Sequence, residues 1–239
     1  MSKYGVFITS AANAKYSKYS PAERLEQTLK TVESVRKYIP NAVICMTDCS
    51  VPGIDKATQD ALTADVDNFV NLSKDPNVNW IQQNIENQDT VKNLTELVVV
   101  GKFFKVAAEH KWFEGCDRVF KVSGRYFLTD KFDITRYEQE DAKGKYVVSK
   151  KMMSQFPKSV TEQTLQYMLR VYSFDTALMS DFTERLSIMT AHMQDRVNAG
   201  GYIDIEHLFC KFLPKDKVLE IARTGVAGNI APNGQFIEN

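Results

Sequence analysis

Residues 4–48 constrain the fold more than any other stretch, because they spell a strand, a loop, a capped helix and a second strand in direct succession. Tyr4 to Ser10 is a compact apolar run, and the loop from Ala11 to Tyr19 that follows is rich in Ser, Asn, Lys and Tyr. Ser20-Pro-Ala-Glu23 then combines a hydroxyl N-cap, a proline at the first helical position and a capping-box glutamate. Leu25, Leu29, Val32, Val35 and Ile39 recur at helical spacing until Pro40-Asn41 stops the run. Ala42 to Met46 is a second apolar strand, ending in Thr47-Asp48-Cys49-Ser50. A helix between two buried strands is the crossover of a parallel sheet. The carboxyl ends of these strands, at Ser10 and Asp48, lie where open α/β sheets collect ligands.

Further along, Asn68 to Leu72 reads as a third strand and Asn93 to Phe113 as a helix closed by Gly115, with Arg118 to Val122 a central strand. Lys145 to Ser149 and Leu169 to Phe174 read as strands that suit antiparallel pairing. Asp175 to Asp195 reads as one or two helices, broken off by Gly200-Gly201. In Ile203 to Phe212, Ile205, Phe209 and Phe212 fall on one face. The tail from Gly225, with Gly228, Pro232 and Gly234, reads as an extended or looped cover. The expectation is a single α/β domain over 1–239, with a mixed, mostly parallel sheet flanked by helices, a binding half at 1–126 and a second half at 127–239.

Composition excludes several classes. At 239 residues and 44% hydrophobic, the chain is large enough to bury an enzyme-sized core. Thirty Lys plus Arg balance thirty Asp plus Glu, so the molecule has no overall field to draw nucleic acid or an anionic membrane. Positive charge is local instead, in the first forty residues and from Lys102 to Lys158. Cys45, Cys49, Cys116 and Cys210 form no C-x-x-C spacing and read as reduced thiols. No apolar run reaches the roughly 20 residues of a membrane span, and no signal-peptide core is visible, so a cytoplasmic location is expected.

The most distinctive functional element is Arg118-Val-Phe-Lys-Val-Ser-Gly-Arg-Tyr126, a short strand that ends in Ser123, Gly124, Arg125 and Tyr126. Such an ending aims polar groups at the ligand side of the sheet. Asp65-Val-Asp67 precedes the third strand and so falls at its amino end, as solvated loop. Asp204-Ile-Glu206-His207 gathers two carboxylates and an imidazole beside Gly200-Gly201. Either carboxylate suits a general base or a stabiliser of developing positive charge. Lys102 and Lys105 precede the central strand as candidate phosphate contacts. Phosphate-loop, dinucleotide and serine-elbow motifs are absent, as is the histidine spacing of a zinc enzyme.

Three segments carry a resemblance: Glu23-Arg-Leu-Glu-Gln-Thr-Leu-Lys-Thr-Val-Glu-Ser-Val, Phe120-Lys-Val-Ser-Gly-Arg-Tyr-Phe-Leu and Tyr202-Ile-Asp-Ile-Glu-His-Leu-Phe. With the α/β half followed by a mixed half, they resemble nucleotide-sugar glycosyltransferases of the GT-A type, in particular small bacterial and phage sugar transferases. The resemblance implies a Rossmann-like GT-A domain and a nucleotide-sugar donor, a UDP-sugar first, with Thr9, Ser10 and Arg24 near it. It places Asp48 at the base or ribose, and Ser123, Gly124, Arg125 and Tyr126 where the family carries its Asp-x-Asp metal motif. That acidic pair is missing, which leaves manganese or magnesium dependence open and makes Arg125 a candidate to neutralise the leaving diphosphate itself. Glu206 or Asp204 would deprotonate the acceptor, a glycan or a modified DNA base. Two alternatives stand beside this reading: a catalytically silent nucleotide- or sugar-binding protein on the same fold, and a nucleotidyltransferase.

Overall fold

The computed structural model describes residues 3–230 and 234–239. Its first half alternates as expected: β1 (Tyr4–Ser10), α1 (Pro21–Tyr38), β2 (Val43–Asp48), α2 (Lys56–Thr63), β3 (Asn68–Asn71), α3 (Pro76–Asn84), α4 (Gln88–Glu109) and β4 (Arg118–Ser123). The second half holds β5 (Tyr126–Leu128), β6 (Tyr146–Ser149), β7 (Met152–Met153), α5 (Lys158–Thr161), β8 (Leu165–Gln166) and β9 (Val171–Asp175). It closes with α6 (Met179–Asn198), α7 (Ile205–Phe212), β10 (Val218–Ile221), β11 (Val226–Asn229) and β12 (Phe236–Glu238).

A seven-stranded sheet in the order β10-β6-β9-β4-β1-β2-β3 forms the centre. β4, β1, β2 and β3 run parallel, and so do β10 and β6, while β9 is antiparallel to both β4 and β6. The mixed, mostly parallel α/β sheet read from the sequence is therefore the one that forms. Its apolar residues make two layers. On one face Phe7, Phe103, Phe104, Phe174 and Phe182 pack with α4, α6 and α7; on the other Val6, Ile8, Val32, Val35 and Phe120 pack with α1. Phe7 and Phe103 stack at 3.6 Å between ring centroids. β1 is buried from both sides, which is why its sequence is apolar without alternation.

The α1 cap is as the sequence requires. Glu23 N–H donates to Ser20 Oγ at 3.3 Å, and Ser20 N–H donates back to the Glu23 carboxylate at 2.8 Å. Elsewhere the boundaries differ. α4 begins at Gln88, a turn and more before the expected Asn93, because Asn87 caps it by accepting from Thr90 N–H at 2.9 Å. It ends at Glu109 rather than Phe113, since Lys111 takes the left-handed conformation at φ 55°. Helices α2 and α3 were not expected. Both are short, although Asp75-Pro76 carries the cap-plus-proline signature that marks α3. The tail is more than a looped cover: β11 pairs with β12 and with β5 in a three-stranded antiparallel sheet. Pro232 lies outside the described residues.

Candidate functional site

A cleft opens at the carboxyl ends of β1 and β4, between the loop after β1, helix α1 and helix α4. Thr9, Ser10, Arg24, Thr28, Ser123, Gly124 and Arg125 line its sheet side, and Gln88, Lys92 and Glu96 line the α4 side. The loop after β1 closes over it. Lys15 Nζ donates to the Gln82 carbonyl at 2.7 Å and the Tyr16 hydroxyl to the Glu86 carbonyl at 2.9 Å. The root of that loop is held by Asp48, whose carboxylate accepts from the N–H groups of Ala12 at 3.1 Å and Ser50 at 2.9 Å.

Arg24 and Arg125 come from distant parts of the chain and both line this cleft. Arg24 is anchored by Nε–H donating to the Ala11 carbonyl at 2.9 Å. Burial and then the nearby Arg125 guanidinium lower its pKa to about 10, against an opposing contribution from Asp48. Nη1 of Arg125 and Oγ of Ser10 are buried with no hydrogen-bond partner among the described residues. An unpartnered buried guanidinium N–H and hydroxyl are costly unless something external meets them. Gly124 lets β4 end this close to β1. Its N–H donates to the Thr9 carbonyl at 2.8 Å, and the Thr28 hydroxyl donates to its carbonyl at 3.0 Å.

The α4 wall carries the one acidic side chain lining the cleft among the described residues, Glu96. It pairs with Lys121, a fully buried lysine of β4 that also donates to Ser123 Oγ at 2.7 Å. Burial pushes the Glu96 carboxyl up, but Lys121, with Lys92 and Arg125, overcomes this and holds it below the ordinary carboxylate range. Glu206, on the first turn of α7, responds oppositely. Burial and the neighbouring Asp204 carboxylate push it up to about 7, Glu96 adds to this and Lys92 of α4 opposes it. Lys92 thus acts on both carboxylates.

The structure brings together Thr9, Ser10, Arg24, Ser123, Gly124 and Arg125, and sets Glu206 outside this lining, on the first turn of α7, near enough to Lys92 and Glu96 for their charges to act on it. It places the remaining sequence candidates elsewhere. Asp48 is fully buried and occupied by backbone donors. Tyr126 lies in the core, with the Arg125 and Arg170 guanidinium groups 5.4 and 5.6 Å from its ring centroid. Lys102 pairs with Asp75 at 2.7 Å, away from the cleft lining, and Lys105 is exposed. Asp204 caps α7, accepting from His207 N–H at 2.9 Å and from His207 Nδ1 at 2.5 Å, while His207 Nε2 meets Ser154 Oγ at 2.8 Å. Asp67, at the amino end of β3, accepts from Ile44 N–H at 2.7 Å. Sequence reading missed Lys92 and Glu96. Both line the cleft from α4, a helix that carries other polar and charged residues as well, so no local signal in the sequence marks these two.

A divalent metal does not fit the residues at the end of β4. Where an acidic pair would be needed stand Ser123, Gly124 and Arg125. Among the described residues no group of three or more His, Cys, Asp or Glu side chains converges as a ligand set. The groups presented there are nitrogen donors and hydroxyls, suited to an anion.

No protein-family model matches the chain, and no curated protein matches it by sequence. Solved structures do match. Core-mannan synthase A (CmsA/Ktr4) from Aspergillus fumigatus, in its Mn/GDP form, superposes with a TM-score of 0.57 at 13% identity over 95% of this chain and 74% of that one. The galactosyltransferase LgtC, in complex with donor and acceptor sugar analogues, gives 0.51 at 12% identity over 90% and 72%. An active-site mutant of LgtC gives 0.54 at 10% identity over the same shares, 90% and 72%. At these identities the likeness is one of fold, and the fold is that of the GT-A glycosyltransferases.

Proposed function

We propose that this protein is a glycosyltransferase that moves a sugar from a nucleotide-diphosphate donor to a hydroxyl-bearing acceptor. One observation carries the reading: Arg24 and Arg125 line the same cleft, with Arg125 Nη1 and Ser10 Oγ unpartnered in its wall among the described residues. A diphosphate supplies the oxygen acceptors and the negative charge that this arrangement lacks. The fold supports it, since the cleft sits at the strand ends where open α/β sheets bind ligands.

In this reading the two guanidinium groups hold the diphosphate and stabilise the charge it gains as the sugar–phosphate bond breaks. They do so without a cation bridge. Glu206, with its acidity shifted near neutral pH, accepts the proton of the attacking hydroxyl. Asp204 supports α7 and the charge environment of Glu206. The acceptor is a glycan or a base of modified DNA.

The test is a donor-cleavage assay with UDP-sugars and GDP-sugars in EDTA, the latter because one fold neighbour was solved with GDP. Release of nucleoside diphosphate, faster with a glycan or modified-DNA acceptor present, is the expected result. Tight nucleotide-sugar binding with no cleavage under any acceptor condition would instead make the chain a binding protein on a transferase fold.

A further inference from the structure

The cleft lining pairs four cations, Lys15, Arg24, Lys92 and Arg125, with the single carboxylate of Glu96. That carboxylate weakens the attraction for a diphosphate, so its position calls for a reason. Where a ligand carries both an anionic end and an electron-poor, hydroxyl-rich end, a lone carboxylate in a cationic cleft marks the second end. Resting on the transferase reading above, we infer that the donor's sugar lies along α4 against Glu96. Its carboxylate would accept the sugar hydroxyls and stabilise the positive charge that develops at the anomeric carbon.

The geometry supports this in three ways. Glu96 is held by its ion pair with the buried Lys121 amine, which also donates to Ser123 of the cleft lining. The Arg125 charge acts on Glu96, and the Glu96 charge acts in turn on Glu206 of α7. The sugar would then sit with its diphosphate toward the arginines and its reacting carbon toward the proposed base. Two carboxylates in contrasting environments, one held ionised and one poised near neutrality, are the arrangement that divides charge stabilisation from proton transfer. In donor hydrolysis the bond between the anomeric carbon and the phosphate oxygen breaks, its electron pair leaving with the diphosphate. A water oxygen bonds to that carbon, and the water's proton passes to Glu206 and on to solvent.

A competing role for Glu96 is only to neutralise Lys121, and E96Q alone would strand that buried amine. The informative variant is therefore E96Q/K121M, which removes both charges together and strands neither, compared with the wild type after thermal melting has confirmed its fold. If Glu96 acts on the sugar, the double variant cleaves donor about 100-fold more slowly than the wild type. The affinity gained by adding the sugar to the nucleotide, measured by calorimetry with nucleotide sugar and free nucleoside diphosphate, is present in the wild type and lost in E96Q/K121M. Equal cleavage by the two proteins, or an unchanged sugar contribution to affinity, overturns the inference while leaving the transferase reading intact. Failure of the wild-type chain to bind or cleave any nucleotide sugar overturns the transferase reading itself.

Discussion

Gly124 and Thr9 join the two strand ends that make the cleft: the Gly124 N–H donates to the Thr9 carbonyl at 2.8 Å, and a β-carbon on Gly124 would lie 2.7 Å from that same oxygen. The contact is with backbone, so no side-chain rotation relieves it, and Thr28 crowds the same point at 3.2 Å. We expect G124A to push β4 away from β1 and to lower stability by about 1–3 kcal/mol, within the range of overpacked sites. Because Arg125 follows directly, nucleotide affinity should fall as well. A denaturant melt and a nucleotide titration on one preparation check this, and a wild-type result in both would show that the strand ends are looser than described.

Asp204 and Glu206 stand two residues apart and divide the work expected of either one from the sequence. Asp204 caps α7 and holds the buried His207, so D204A should destabilise the protein by about 1–3 kcal/mol through the lost cap and the stranded imidazole. E206Q should not destabilise the protein at neutral pH and should slow donor cleavage about 100-fold, the lower range for a lost general base. The reverse pattern would exchange their roles.

The raised pKa of Glu206 also has a sign in stability. A carboxyl shifted from its ordinary 4.5 to about 7 binds its proton more tightly when folded. Its favourable contribution is complete below pH 4.5 and is lost as the pH rises toward 7. E206Q removes that loss, so its stability relative to the wild type should rise by on the order of 2 kcal/mol between pH 4.5 and 8. Cleavage should show the opposite dependence, rising with pH to a midpoint near 7 in the wild type. The midpoint should move up in K92M, which loses the opposing cation, and down in D204N, which loses a neighbouring charge. Guanidinium melts and rate profiles across that window provide the check. A flat difference curve would place Glu206 in an ordinary environment.

Much of this was legible before any coordinates. The run Ser20-Pro-Ala-Glu23 is a local device whose hydrogen bonds need no tertiary partner, so the opening β1-α1-β2 unit was readable and with it the sheet. The place of Ser123, Gly124 and Arg125 in the cleft lining was readable because a strand of buried residues ends in polar ones. The α4 wall was not. Lys92 and Glu96 look like surface charges in sequence, and their meaning depends on Lys121, a lysine inside a buried strand, where chain-local reasoning expects none. Asp48 and Tyr126 were misplaced for a related reason. Strand ends contribute both ligand contacts and the bonds that hold the loops in place, and only the hydrogen bonds of Asp48 and the core position of Tyr126 assign them to the second task.

The central claim is that Arg24 and Arg125 together hold a diphosphate without a metal. Calorimetric titration of UDP and GDP into the wild-type protein and R125M, in buffer containing EDTA, tests it most directly. We predict binding by the wild type under chelation, weakened in R125M by about 10-fold or more, the loss expected for a charge-assisted hydrogen bond of about 1.5–3 kcal/mol. Binding that appears only when manganese or magnesium is added, or an R125M affinity equal to that of the wild type, would contradict the account.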